Sequence, residues 1–364
     1  MLTACYILSF YYFGLLLIFI SGIFFTGKSS KLHPRGISVI IAARNEEKYL
    51  PHLLENLLEQ NYPDELYEII IINDRSTDNT SDIINYYERN YTQIRGFSIN
   101  EEKSDLKAKK GALDCGIRNS SFELLAFTDA DCLPSLNWLQ EINNHFQKGV
   151  DFIAGYSPLI IDQWFLALLK NLERASIFAV NAGSFGWNWG FTCTARNMAY
   201  RKEIFLKAGG FEGIGHLRSG DDDLLLQKLM KFIRKLNFMF SQNSIVKSYD
   251  KQTAKEQFDL ENRRASKWRY YPVVIKLMSM LVFFYFLSLT GTFLFSILGL
   301  INWVDFLILI GFKILIEFCL LLIFNLKVKK LHLLSVFPLA EIIYIPYFVF
   351  FALKGTFGKY SWKN

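Results

Sequence analysis

The hydrophobic residues of this chain follow two different patterns. Long runs with few charges lie near both ends, and they cover residues 4–25, 281–300, 306–326 and 331–353. Each run is long enough to cross a bilayer as a helix, which rises about 1.5 Å per residue. Between them, short apolar segments alternate with polar ones, as in a globular protein. The pattern predicts an N-terminal transmembrane helix over 1–27, a globular domain over 36–271 and a C-terminal transmembrane region over 272–364.

Charges beside the apolar runs predict how the chain is oriented. Lys28, Lys31 and Arg35 follow the first run, so the globular domain of this multi-pass cell-membrane protein is predicted to be cytoplasmic. A cleaved signal peptide is disfavoured, because the run is too long and lacks a small-residue cleavage site. The C-terminal region has two or three spans. Because three would place the terminal lysines outside, we expect 331–353 to be re-entrant or interfacial.

The globular interval alternates between two periodicities. Residues 37–43 form a continuous, mostly β-branched run, typical of a strand buried on both faces, and 45–60 has the leucine spacing of a helix. The alternation continues with strands over 68–72, 93–99 and 150–155, a strand leading to Asp129, and helices over 78–89, 108–118, 134–146, 159–180, 221–235 and 253–271. Strict alternation predicts an α/β fold with a mainly parallel sheet, whose ligand crevice lies at the carboxyl ends of the strands.

Polar side chains follow three of these predicted strands. Glu46 follows the first, where helix capping is an alternative explanation, and Asp74 ends the second, where its carboxylate could accept the imide N–H of a nucleobase. Asp129 and Asp131 follow the third. Residues i and i+2 of a strand point to one side, so both carboxylates could face one divalent cation. Solvated turns also contain isolated Asp-x-Asp, so the metal hypothesis depends on the other motifs.

Composition narrows the class of protein. The chain is 51% hydrophobic, with a mean hydropathy of +0.19 and a formal net charge of +6. Its Lys and Arg residues concentrate beside the apolar runs, which indicates contact with the anionic headgroups of a lipid bilayer rather than with nucleic acid. The five cysteines lack zinc-ligand spacing, so we expect neither disulfides nor a zinc site.

Six motifs occur in an order that resembles a known family. They are AARNEE, NDRSTDNT, KKGALDCGI, FTDADC, CTARNMAYRKEIF and SGDDDLLLQ. Over about residues 37–268, this ordered set resembles the membrane-associated family 2 glycosyltransferases, which have a GT-A fold. The resemblance implies metal-dependent transfer of a sugar from a nucleoside diphosphate sugar donor. A donor of this kind carries its own leaving group, and the sequence shows no positioned nucleophile, so inversion at the anomeric carbon is expected.

The resemblance also assigns roles to residues. Glu46, Asp74, Lys109, Asp129 and Asp131 match the donor-binding positions, and Asp129 and Asp131 match the DxD motif, in which the second aspartate binds Mg²⁺ or Mn²⁺ across the two phosphates.

Further positions match the catalytic base and the pocket for sugar and acceptor. The pocket would contain Cys193, Arg196 and Asn197. We add Trp189 of the Gly-rich loop 181–189, whose ring could stack on a sugar or, as an equal alternative, pack inside the fold.

The acidic motif leaves the catalytic base on either Asp221 or Asp222, depending on a one-residue shift. If this segment is helical, Asp222 lies on the apolar face together with Leu225 and Leu229, whereas Asp223 lies on the polar face. That reasoning favours Asp222.

Two segments depart from the family pattern. Asn73 and Arg75 replace the first Asp and the Gly of the DDGSTD turn, which leaves the base contact of Asp74 intact but puts the ribose contacts in doubt. Residues 260–264 read LENRR, where processive synthases carry QxxRW. We therefore expect transfer to a lipid-linked or membrane-proximal glycan. The alternatives are a processive polysaccharide synthase and a membrane protein that binds nucleotides without catalysis.

Overall fold

The computed structural model describes residues 2–102, 104–250 and 267–357. The chain divides into two compact units. We call them the globular unit, which consists of Ile23–Asp162 and Ser184–Asp250, and the helical unit, which consists of Met1–Gly22, Gln163–Gly183 and Lys251–Asn364.

A seven-stranded sheet forms the centre of the globular unit. Its strands are β1 Ile37–Ala43, β2 Tyr67–Asp74, β3 Ile94–Ile99, β4 Leu124–Phe127, β6 Phe152–Gly155, β8 Met198–Arg201 and β9 Leu236–Met239. They lie in the order β3-β2-β1-β4-β8-β6-β9, and β8 alone runs antiparallel to its neighbours in this sheet. The mainly parallel α/β sheet predicted from the sequence is confirmed.

A second sheet has three short strands. They are β5 Cys132–Pro134, β7 Leu159–Ile160 and β10 Val246–Tyr249, in the order β5-β10-β7. Because β5 begins at Cys132, immediately after the Asp-x-Asp tripeptide, its pairing with β10 anchors the downstream end of that tripeptide.

The helices, numbered along the chain, have the following bounds. They are α1 Leu2–Ile23, α2 Leu50–Leu58, α3 Thr80–Asn90, α4 Lys109–Asn119, α5 Trp138–His145, α6 Trp164–Gly186, α7 Lys202–Lys207, α8 Asp223–Leu229, α9 Val273–Ile297, α10 Trp303–Lys327 and α11 Phe337–Phe357.

The core of the globular unit lies on both faces of the large sheet. On one face, Val39 and Ile41 pack into a cluster with Leu53 and Leu57 of α2, all of them fully buried. On the other face, α4 approaches closely at Gly116, where an added Cβ would lie 2.6 Å from Ile72 Cδ1. Burial on both faces explains the continuous apolar runs of β1 and β2.

The helical unit contains long apolar helices. Four segments of the described chain have the length and composition to cross a membrane, and they are Leu2–Ile23, Val273–Ile297, Trp303–Lys327 and Leu331–Phe350. Lys313 of α10 is fully buried, and its ammonium pairs with Glu317 at 2.9 Å and with Glu341 of α11 at 2.5 Å. The i,i+4 spacing of Lys313 and Glu317 on one helix accounts for the first contact, and Glu341 adds a second carboxylate.

The structure differs from the sequence predictions at several boundaries. The helix predicted to start at residue 45 begins at Leu50, and the loop predicted over 181–189 is helical as far as Gly186. At Gly183 an added Cβ would lie 2.3 Å from the carbonyl oxygen of Phe19, so the small residues there permit close packing of two helices rather than a loop. Residues 260–264 lie outside the described residues.

Candidate functional site

The ends of three neighbouring parallel strands carry the predicted donor-binding residues. β2, β1 and β4 are adjacent in the sheet. β2 ends at Asp74 and is followed by Arg75, β1 is followed by Asn45 and Glu46, and Asp129 lies just after β4. Parallel strands end at one edge of a sheet, so the fold brings these segments together although they are far apart in sequence.

The turns after β1 and β2 are joined by reciprocal hydrogen bonds. The N–H groups of Glu46 and Glu47 donate to Thr80 Oγ1 at 2.8 Å and to Asp78 Oδ2 at 3.1 Å, while the Thr77 N–H donates to Asn45 Oδ1 at 2.8 Å. Helix capping, the alternative explanation given for the segment after β1, is not what these groups do. They connect the two turns, and the N-cap of α2 is Tyr49, which makes no side-chain capping hydrogen bond.

Asp74, the residue assigned to the nucleobase, is buried and already contacts a cation. Arg75 Nε donates to Asp74 Oδ1 at 2.8 Å, and Arg75 also approaches Glu102 at 3.7 Å. The family pattern gives no sign of this contact, because it has Gly, which carries no side chain, at the position of Arg75. The carboxylate of Asp74 is thus shared between a neighbouring guanidinium and any ligand that binds there.

A tight turn, rather than strand geometry, places the two aspartates of the Asp-x-Asp tripeptide. β4 ends at Phe127, and the Cys132 N–H donates to the Asp129 carbonyl oxygen at 3.1 Å. Side-chain atoms of Asp129, Asp131 and Cys132 that could hold a metal lie within 4.8 Å of one another. The two carboxylates do lie close together, but the expectation that strand alternation aligns them is wrong, because they lie beyond the end of β4.

Two cations contact Asp129. Lys109, the first residue of α4, forms an ion pair with Asp129 Oδ1, and Arg196 Nε lies 3.5 Å from Asp129 Oδ2. Burial lowers the pKa of Lys109, but the charges of Asp129 and Asp221 outweigh it and raise that pKa above its ordinary value. Lys109 is therefore a permanent cation beside both acidic motifs, and Arg196 joins the site through Asp129.

Burial and the neighbouring carboxylates raise the pKa of the Cys132 thiol. At neutral pH it is therefore a protonated thiol, and oxygen atoms are the donors that the turn offers to a hard cation.

The acidic motif begins outside a helix. α8 starts at Asp223, and Asp222 is its N-cap, with Oδ1 accepting the Asp223 N–H at 2.7 Å. Asp223, predicted on the polar face, is buried. The reasoning that favoured Asp222 from its helical face is therefore wrong in its premise, since Asp221 and Asp222 precede the helix.

A buried lysine, Lys110, binds the segment before this motif. Lys110 is 1% exposed, and its ammonium donates to the carbonyl oxygens of Leu217 at 2.6 Å and Ser219 at 2.8 Å. Lys109 and Lys110 are neighbours on α4, so one helix end contacts both the Asp-x-Asp turn and the acidic motif. Adjacent lysines at a helix start give no sequence sign of which one is buried.

The remaining pocket assignments are placed differently from one another. Asn197 is fully buried, and its amide accepts from Trp138 Nε1 and donates to the carbonyl oxygens of Tyr156 and Ser244. Cys193 is buried with its thiol near Met198, and Trp189 is half-buried against Phe191. Their place in a sugar pocket stays a prediction, and the amide of Asn197 is engaged inside the fold.

The site thus combines the carboxyl ends of parallel strands, the Asp-x-Asp turn and two lysines at the start of α4. A family match agrees with this arrangement. Residues 38–209 match Glycosyl transferase family 2. The chain contains a family 2 glycosyltransferase domain. The resemblance read from the six motifs is confirmed, and the match includes every assigned residue except Asp221 and Asp222.

Several relatives align with parts of this chain. Glycosyltransferase AglE of Haloferax volcanii is 30% identical over 191 residues, which are 51% of this chain and 58% of AglE. Dolichyl N-acetyl-alpha-D-glucosaminyl phosphate 3-beta-D-2,3-diacetamido-2,3-dideoxy-beta-D-glucuronosyltransferase of Methanococcus voltae is 33% identical over 129 residues, 34% of this chain and 39% of that enzyme. The chain thus covers less than two thirds of the length of these relatives.

A solved structure has the same fold. The mannosyltransferase PcManGT from Pyrobaculum calidifontis, in complex with GDP-Man and Mn²⁺, matches 99% of this chain and 100% of its own chain, with a TM-score of 0.56 and 16% identity. At this identity the likeness concerns the fold alone, and the GT-A fold implied by the motifs is confirmed.

Proposed function

We propose that this protein transfers a sugar from a nucleoside diphosphate sugar to a lipid-linked or membrane-proximal glycan. The observation that carries the proposal is the position of Lys109. Its ammonium contacts Asp129, and the charges of Asp221 and Asp222 act on it electrostatically. One cation thus connects the carboxylates assigned to donor binding with those assigned to catalysis. A diphosphate that enters there gains a positive partner beside an acidic group able to accept a proton.

The Asp-x-Asp turn fits a divalent cation. Asp129 and Asp131 offer oxygen ligands within 4.8 Å of each other, which suits Mg²⁺ or Mn²⁺. Because Lys109 and Arg196 contact Asp129, we assign the principal ligand role to Asp131 and a supporting role to Asp129. When bound, the ion would neutralise the negative charge of the two donor phosphates.

We assign the catalytic base to Asp221 rather than Asp222. The Asp222 carboxylate caps α8, whereas Asp221 lies just before the cap and its carboxylate makes no hydrogen bond within the described residues. Burial and the charge of Asp222 raise the pKa of Asp221, although Lys109 and Lys110 oppose the shift. A raised pKa makes its carboxylate a stronger proton acceptor.

The residues support a single displacement. Asp221 would take the proton of the acceptor hydroxyl while that oxygen bonds to the anomeric carbon. The bond from this carbon to the diphosphate would break, and the leaving diphosphate would keep the electron pair and face the ammonium of Lys109. One displacement inverts the configuration at the anomeric carbon.

The apolar helices support an acceptor at the membrane. The four candidate spans would keep the chain at the bilayer, where a lipid-linked glycan also resides. The cations of 28–35 favour a cytoplasmic catalytic domain, on the side where nucleotide sugars are made available.

Release of nucleoside diphosphate from a panel of nucleotide sugars tests this function. Full-length protein in lipid nanodiscs should release it with Mn²⁺ or Mg²⁺ present, lose the activity with EDTA, and give a lipid-extractable labelled product when a polyprenyl phosphate-linked sugar is added. Binding without release, for every donor and acceptor, would favour the non-catalytic alternative. A product that lengthens without dissociating would favour the processive one.

A further inference from the structure

The side chains of Asp74 and Arg75 form a matched pair at the end of β2. Asp74 is 6% exposed, and its Oδ1 accepts from Arg75 Nε at 2.8 Å. Within the described residues, Asp74 Oδ2 receives no hydrogen bond. The pair therefore presents an unused carboxylate oxygen next to the terminal N–H groups of a guanidinium.

The backbone at Arg75 is held in an unfavourable conformation. Its φ is +61°, in the left-handed region where Gly is favoured and other residues cost about 1 kcal/mol or more. The Ser76 N–H donates to Asn73 Oδ1 at 3.1 Å, which stabilises this turn. An arginine that tolerates such a conformation indicates that its side chain has a use at this position.

A second carboxylate keeps the guanidinium beside Asp74. Arg75 Nη1 lies 3.7 Å from Glu102 Oε1, and Glu102 also accepts the Ala108 N–H at 2.9 Å, directly before Lys109. Lys107 pairs with Glu102 at 3.4 Å. Arg75 thus lies between Asp74, which is assigned to the nucleobase, and the loop that leads to Lys109, which is assigned to the phosphates.

We propose that Arg75 is a specificity-determining residue that reads the nucleobase together with Asp74. This proposal rests on the proposed function, since it concerns the donor of that reaction. Asp74 Oδ2 accepts one hydrogen bond and a terminal N–H of Arg75 donates the next. This order fits a ring N–H beside a carbonyl, the edge that uracil and guanine share.

The same pair rejects the other common bases. Cytosine and adenine present a ring nitrogen acceptor beside an amino group, so each would place acceptor against acceptor and donor against donor. A buried carboxylate and guanidinium left without partners are costly, and sites that lose such hydrogen bonds discriminate strongly. Arg75 therefore adds a second contact to the recognition that Asp74 alone would provide.

Binding of free nucleoside diphosphates tests the proposal without any sugar transfer. Calorimetry on the full-length protein with Mg²⁺ should show that UDP or GDP binds at least about tenfold more tightly than CDP and ADP. Arg75→Met should weaken the preferred nucleotide by about tenfold and leave CDP, ADP and inorganic pyrophosphate within about twofold. Arg75→Lys, which keeps the charge but loses the planar fork, should recover only part of the loss.

Lys107→Met is the matched control, because it removes a cation from the same Glu102 cluster without contacting Asp74. It should leave the ratio of UDP or GDP to CDP affinity unchanged. The proposal is overturned if Arg75→Met weakens pyrophosphate and all nucleotides equally, or if it strengthens UDP and GDP binding because it uncovers Asp74. Selective nucleotide binding by a protein that releases no product would instead contradict the proposed function and leave the role of Arg75 standing.

Discussion

Two lysines of this chain are held by carboxylates in contrasting surroundings. In the globular unit, Lys109 and Asp129 form an ion pair in which both side chains remain 28% exposed. In the helical unit, Lys313 is fully buried between Glu317 and Glu341, and the Tyr12 hydroxyl donates to Glu317 at 2.6 Å. Water reaches the first cluster, so its charges can exchange partners with a charged ligand. The second is closed, and each of its charges depends on the others.

Because of this difference, the partly exposed ion pair is suited to ligand binding and the buried one to stability. A partly exposed pair gains little free energy from its own contact, so replacing a partner with a phosphate costs little. A buried pair matters for stability because removal of one partner leaves the other charge uncompensated in an apolar interior. Substitutions in the cleft should therefore change activity, and substitutions at Lys313 should change stability.

The largest effect is expected at Asp131. Asp131→Ala should abolish transfer and the metal dependence of donor binding, because it removes the oxygen ligand to which we assign the principal metal contact. Asp129→Ala should weaken transfer without abolishing it and should also release Lys109 and Arg196. Turnover and donor affinity with and without Mn²⁺ measure both variants. Full activity in Asp131→Ala would contradict the metal assignment.

The catalytic base should show the next largest effect. Asp221→Asn should lower kcat by at least about a hundredfold, the usual scale for a general base, with donor affinity retained. Asp222→Asn, the neighbouring control, should cost much less, since an asparagine can still cap α8. Single-turnover kinetics with separately measured donor binding compare the two. If Asp222→Asn alone loses turnover, the base is Asp222 and our assignment to Asp221 is wrong.

Lys313→Met should act on stability. The substitution leaves Glu317 and Glu341 unpaired among apolar helices and should reduce the free energy of unfolding by about 3–5 kcal/mol. Thermal unfolding in detergent measures the change, and adding Glu317→Gln and Glu341→Gln should recover part of it. Lys109→Met is the contrasting variant, with lost turnover and a nearly unchanged Tm. A large loss of Tm in Lys109→Met would remove the distinction between the two lysines.

The smallest effect is a shift in pH dependence. Asp221 accepts a proton only as a carboxylate, and its raised pKa means that activity should fall on acidification at a higher pH than it would with an ordinary Asp as the base. Asp222, Asp129, Lys109 and Lys110 all act on this group. Because the charge of Asp222 raises the pKa of Asp221, Asp222→Asn should move the acidic limb of kcat/KM to lower pH. An unmoved limb would assign it to another group.

Much of the central domain could be predicted from local pattern. The bounds of β1 match the predicted strand at both ends, and β2 and β3 differ from prediction by at most two residues. β1 and β2 are buried on both faces, and such strands consist of continuous apolar runs. The short strands β5, β7, β8, β9 and β10 were not predicted, since two to four residues carry too little periodicity to be recognised.

What the sequence alone determined is the set of chemical groups and their family order: carboxylates after buried strands, a lysine at a helix start and apolar runs at both ends. Tertiary structure alone decided which of these groups meet. Arg75 folds onto Asp74, Arg196 reaches Asp129, and Lys110 is buried against the segment before Asp221. The contacts of Arg196 and Lys110 join separate segments of the chain, and the contact of Arg75 depends on how the turn after β2 folds. Local periodicity carries no information about any of them.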